Sequence, residues 1–123
     1  MQFASIRLAT TNVDRLAAFY EALTGTKAAR PAPPFAVLNF GGAQLAISDE
    51  ATIQRFNAGI VTAAANRGAI IEFQVTDVDA ARAGLGATVE VVMEPADMPW
   101  GNRSMLLRDP DGNAVNIFSR PTA

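Results

Sequence analysis

The chain has 123 residues, half of them apolar and 18% charged, with 10 Lys and Arg against 12 Asp and Glu for a net charge of −2. That length favours one domain, and a chain this apolar and this weakly charged is expected to fold. The composition excludes several classes of chemistry. With no cysteine there is no disulfide framework, thiolate nucleophile or thiolate metal site. With no histidine the commonest metal ligand and the commonest neutral-pH base are both missing, so Ser-His-Asp and Cys-His catalysis fall away. Basic residues are scattered singly, which argues against a nucleic-acid partner. No basic patch leads into a long apolar run, so the expectation is a cytoplasmic protein with no membrane partner.

Phe3 to Ala9 alternates as a first strand, with Ile6 and Leu8 on one side and Ser5, Arg7 and Ala9 on the other. Thr11-Asn12-Val13-Asp14 supplies a side-chain cap and an acid in the first turn. Val13, Leu16, Ala17, Tyr20 and Leu23 then recur at helical spacing until Gly25. A short strand is conceivable over Thr26–Arg30, before the prolines of Arg30 to Pro34 make a connection. Phe35–Phe40 and Ala43–Ser48 read as strands of a hairpin about Gly41-Gly42. Asp49 to Gly59 is ambiguous between coil and a short helix, and Ile60 to Gly68 reads as a link.

The pattern then restarts. A displacement of 65 places Ile6 on Ile71, Thr11 on Thr76, Asn12 on Asp77, Val13 on Val78, Asp14 on Asp79 and Ala18 on Ala83. A strand over Ala69–Val75 is followed by the Thr76-Asp77-Val78-Asp79 cap and an Ala-rich helix ending near Gly86. Strand-like runs follow at Thr88–Met93, Ser104–Arg108 and Ala114–Phe118, the last two flanking the turn Asp109-Pro110-Asp111-Gly112-Asn113. Two strand–helix–strand–strand–strand modules result. One helix per module covers one sheet face, assigned to Ile6, Leu8, Leu45, Ile47, Ile71, Phe73, Val75, Val115 and Ile117. Alternation leaves the opposite face to residues such as Ser5, Arg7, Gln44, Ala46, Ser48, Ile70, Glu72, Gln74, Ala114, Asn116 and Phe118. That mixed lining suits either a ligand pocket or a wet outer surface.

The repeat, the helix carrying Phe19-Tyr20 and Leu23-Thr24-Gly25, and the segment Trp100-Gly101-Asn102-Arg103-Ser104 through Asp109-Pro110-Asp111-Gly112-Asn113 resemble the vicinal oxygen chelate superfamily. That superfamily includes glyoxalase I, extradiol dioxygenases and bleomycin-resistance proteins. The resemblance implies an α+β fold over residues 1–123, a single domain of two tandem βαβββ modules (about 1–59 and 68–120). Its curled mixed sheets would form a concave cavity, commonly in a homodimer. In metal-dependent members the four ligand positions carry over to about Ser5, Ala46, Ile70 and Asn116, none of them a His or a carboxylate. The implied function is therefore metal-independent binding of a small organic molecule, of the bleomycin-resistance type, without metal or other cofactor. The alternative is a lyase or isomerase that uses Glu72 as general base with Arg7 or Arg103.

Arg7 and Glu72 occupy equivalent places in the two repeats and read either as a structural ion pair or as grips for opposite ends of a ligand. Trp100 is a candidate apolar wall and is equally readable as packing; Phe40 and Phe118 are its candidate companions. Gln44, Gln74, Asn116 and Arg103 complete the candidate ligand set. Tyr20, by its spacing, belongs to the core. Met93, Met98 and Met105 are candidates for an adaptable cavity mouth, with strand core the plainer reading of Met105.

Overall fold

The computed structural model describes residues 1–121. Its elements are β1 (Ile6–Thr10), α1 (Val13–Thr24), β2 (Phe35–Asn39), β3 (Gln44–Asp49), α2 (Glu50–Asn57), β4 (Ile70–Gln74), α3 (Val78–Ala83), β5 (Glu90–Asp97), β6 (Arg103–Arg108) and β7 (Ala114–Ser119). The fold is α+β, and the chain divides into two compact units, one ending at Ala65 and the other starting at Asn66. Among the described residues no helix is long and apolar enough to cross a membrane.

In the first unit the strand order is β1-β3-β2, with β1 parallel and β2 antiparallel to β3. Helix α1 begins where Asn12 Oδ1 accepts the Arg15 N–H at 3.0 Å. It ends at Gly25, whose φ of 71° is the left-handed conformation that lets its N–H reach the Glu21 carbonyl. Leu16, Ala17 and Tyr20 are fully buried in a core with Ala36, Leu38, Leu45 and Ile47, and α1 rests on β2 and β3. Burying each large apolar side chain contributes roughly 1.5–3 kcal/mol.

Several expectations need correction here. Regular pairing starts at Ile6 rather than Phe3. Ile6 is 52% exposed although alternation puts it on the helix-covered face; β1 is the sheet edge, and α1 packs over β2 and β3 instead. Ser48, assigned to the open face, is fully buried, its hydroxyl without a hydrogen-bond partner among the described residues; α2 starts two residues later and contacts both β3 and β1. The conceivable strand over Thr26–Arg30 is a single bridge, Ala29 to Val37. Pro31, Pro33 and Pro34 follow, and residues without an N–H cannot extend a ladder.

The ambiguous segment after Asp49 is α2. It ties the following link down through Gln54, whose side chain donates to the Val61 carbonyl at 3.0 Å and accepts the Gly59 N–H at 2.7 Å. Glu50 accepts the Ala63 N–H. The next residue, Ala64, has a φ of 57°, the one described non-glycine residue in the left-handed region.

The second unit repeats the plan in the order β4-β7-β6-β5, with β4 parallel to β7 and the remaining pairs antiparallel. Its helix starts with the same device 65 residues on, Asp77 Oδ1 accepting the Ala80 N–H at 3.1 Å. Helix α3 stops at Ala83, earlier than Gly86, with Gly84 as its cap. Strand β5 is longer and later than the expected Thr88–Met93 because register shifts on either side of Met93 break its alternation. Pro95 is tolerated there because β5 is an edge strand. Met105, Leu107, Val115, Ile117 and Val78 form the core, so Met105 is strand packing.

The β6–β7 turn is built on a buried carboxylate. Asp109 accepts the Asp111 and Asn113 N–H groups, both at 2.9 Å, and the Asn113 amide at 2.8 Å. The Asn113 side-chain oxygen accepts in turn from Asn66 at 3.1 Å.

Candidate ligand-binding face

Register fixes which side chains share the open face of the second sheet. Glu72 lies beside Asn116 across the β4–β7 pair, Asn116 opposite Leu106, and Leu106 opposite Met93. The adjoining row runs from Gln74 to Phe118, Ser104 and Ala96. Four of the sequence candidates, Glu72, Gln74, Asn116 and Phe118, therefore stand together. Glu72 and Gln74 are exposed, and Asn116, Phe118, Leu106 and Met93 are half-buried.

This polar group is ordered. Asn116 Nδ2 donates to Glu72 Oε2 at 2.8 Å, and Arg120 Nε donates to Gln74 Oε1 at 3.2 Å. With Nδ2 committed to the carboxylate, Asn116 Oδ1 faces away from it, out of contact with solvent and with no hydrogen-bond donor among the described residues. Leaving a buried acceptor unpaired costs about 1–3 kcal/mol.

The other candidates are placed differently. Arg7 sits at the register position in the first unit that Glu72 holds in the second, beside Ala46 instead of an asparagine. It is exposed, as is Gln44 at the start of β3 on the same face. Phe40 lies in the β2–β3 turn, half-buried, its N–H donating to the Ala43 carbonyl at 2.9 Å. Trp100 is 71% exposed in the β5–β6 turn, which is closed by the Met98 N–H on the Asn102 carbonyl at 2.7 Å.

Arg103 departs from the expected ligand set. It alternates with buried Met105 and Leu107, so it projects to the α3 side, away from Asn116. Its guanidinium forks onto both oxygens of Asp79 at 2.8 and 3.0 Å and reaches Asp97 at 3.1 Å. Those hydrogen bonds hold the Asp79 carboxyl below its ordinary range and raise the arginine further. Leu106 is the face residue that the sequence reading passed over, although alternation from Met105 finds it; Met93, a candidate for the cavity mouth, stands opposite it across the β5–β6 pair.

The positions that the resemblance equates with metal ligands hold Ser5 and Ala46 in the first unit and Ile70 and Asn116 in the second, hydrocarbon or neutral oxygen donors that suit a divalent cation poorly. Among the described residues no group of three or more carboxylates is placed to hold one.

The sequence profile of the Glyoxalase/Bleomycin resistance protein/Dioxygenase superfamily matches residues 2–117, and the chain belongs to that superfamily. Among solved structures it is similar to a glyoxalase/bleomycin resistance protein/dioxygenase from Nocardioides, with 22% identity, a TM-score of 0.81 and coverage of 100% of this chain and 85% of that one. A family enzyme from Burkholderia phytofirmans gives a TM-score of 0.85 at 16% identity, covering 97% and 98%. A protein of unknown function from Agrobacterium tumefaciens gives 0.82 at 24%, covering 97% and 94%. At these identities the likeness is one of fold. No curated protein matches the chain.

Proposed function

We propose that the chain binds a small organic molecule on the open face of the second sheet without help from a metal ion, sequestering it as bleomycin-resistance proteins do, and that it acts as a cytoplasmic homodimer. The observation carrying this reading is the Glu72–Asn116 pair set among Leu106, Met93 and Phe118, with polar groups that fix orientation beside apolar groups that supply contact area. Membership of the superfamily supports it, and so does the donor set at the four equivalent positions.

Native mass spectrometry of the protein isolated from its own cells, before and after exhaustive chelation, tests it. The expected result is a dimer retaining an organic mass in stoichiometric amount, unchanged by the chelator. Stoichiometric zinc, iron or manganese that is needed for retention overturns the metal-independent part. Conversion of the bound molecule, abolished by Glu72→Gln while binding persists, replaces sequestration with an enzyme that uses Glu72 as its base.

A further inference from the structure

Resting on the proposal that this face takes a small molecule, we infer that the ligand is an amphipathic hydrogen-bond donor, an organic ammonium or amidinium in preference to a carboxylate, gripped between Glu72 and Asn116. Three features of the second unit carry the inference.

First, the amide of Asn116 cannot turn round without cost. Its NH2 group donates to Glu72 Oε2 at 2.8 Å, and a flipped amide would set its oxygen against the carboxylate. Its oxygen is therefore presented as an acceptor, buried and unpaired among the described residues. An asparagine so held is costly unless something donates to it. The register-equivalent residue in the first unit, Ala46, carries no such burden.

Second, Glu72 uses only its Oε2 in that bond and is exposed, so Oε1 is a second acceptor, and a charged one, beside the first. Two acceptors side by side match a donor with more than one N–H and repel an anion. Third, the hydrogen bonds of Arg108, Arg120 and Arg103 go to groups other than the Glu72–Asn116 pair. Arg108, on the same face, donates to the Gly112 carbonyl at 3.0 Å. Arg120 donates to Gln74, and Arg103 lies on the opposite side of the sheet. Leu106 and Met93 continue the row beyond Asn116. They are flexible enough to give way to a donor reaching Oδ1, and with Phe118 they offer an apolar bed.

Nitrogen-15 NMR titrations of the full chain with benzylamine, benzyl alcohol and benzoate test this, the three probes sharing a ring and differing in the polar group. Benzylamine is expected to shift the amides of β4, β6 and β7 and to bind at least tenfold more tightly than benzoate, with the alcohol between them. Glu72→Gln should erase the advantage of the amine over the alcohol. Asn116→Leu, which keeps the bulk, should weaken both, and Asn116→Asp, which keeps the acceptor, should retain the amine; spectra of the free variants report their folding. Benzoate binding to these strands as tightly as benzylamine overturns the inference and leaves the small-molecule reading standing. Shifts confined to other elements, or no shifts with any probe, overturn both.

Discussion

The two units share a topology and an N-cap yet place opposite chemistry at the same register position. In the first, the edge strand brings Arg7 beside Ala46; in the second, it brings Glu72 beside Asn116, joined by a hydrogen bond. The supporting structure diverges as well. The first unit packs its sheet under a 12-residue helix and adds α2, whereas the second relies on a six-residue helix and an eight-residue edge strand. Both units keep what the backbone needs, an Asx cap and a parallel pairing of first and last strands. The exposed side chains of the open face, Arg7 and Glu72 among them, are free to differ because they lie outside either core.

The turns test that division most severely. The β2–β3 turn rests on Gly41 at a φ of 87°, on the Phe40 N–H bond to the Ala43 carbonyl and on a single side-chain bond, from the Gly41 N–H to Asn39 Oδ1 at 3.0 Å. The β6–β7 turn depends on buried Asp109, which accepts three N–H bonds. Asp109→Ala strands those donors and should cost ~3 kcal/mol, against ~1 kcal/mol for Asn39→Ala. Urea denaturation checks both, and equal losses would mean that the buried carboxylate is no more than a local turn former. The caps come next. Asn12→Ala and Asp77→Ala remove the same bond from α1 and α3, so each should cost ~1 kcal/mol. A tenfold disparity in the folding equilibrium would show that the shorter helix depends on its cap more than the longer one.

Those caps also explain how much of the fold was legible. Thr-Asx-Val-Asp recurs because backbone N–H groups at a helix start need an acceptor whatever the surroundings, so the repeat can be read from local chemistry. α2 could not be read in the same way, because Asp49 makes no side-chain cap there and only Ile53 of the helix is buried. β5 escaped because bulges erase alternation. On the candidate face, alternation brought Glu72, Gln74, Asn116 and Phe118 together correctly. Arg103, expected among the ligand residues, instead pairs with Asp79, 24 positions away on α3, a contact that no local pattern reveals. The burial of Ser48 depends on packing that no period-two count contains.

A smaller effect belongs to the end of the first unit, at Ala64. A left-handed alanine is disfavoured by ~1–2 kcal/mol. Glycine relieves that but loses ~0.5–1 kcal/mol of unfolded-chain entropy on folding. Ala64→Gly should therefore stabilise the protein by about 0.5 kcal/mol. Thermal unfolding checks this, and a lowered midpoint would show that the Glu50 bond to Ala63 needs the stiffer residue next to it.

The smallest effect distinguishes the surface ion pairs of the two units. In the first, Arg30 reaches Asp14 at 2.8 Å, with the aspartate almost fully exposed. In the second, Arg103 clasps Asp79 and Asp97, and Arg82 forks onto Glu94 at 2.7 and 3.0 Å. Hydrogen bonding to Arg103 lowers the Asp79 carboxyl, and hydrogen bonding to Arg82 lowers Glu94. A carboxyl depressed in the folded state binds its proton more readily when unfolded. Its contribution is therefore complete above the unfolded value, about 3.9 for Asp and 4.3 for Glu, and is lost as the pH falls through the folded value. Both carboxylates are largely exposed, so salt should screen most of the effect. In carboxyl NMR titrations Arg103→Met should raise the Asp79 midpoint toward its ordinary value, with the gap between wild type and variant narrowing in high salt. An unchanged midpoint would mean that the fork onto Asp79 does not persist in solution, leaving Arg103 free to turn outward as a binding group.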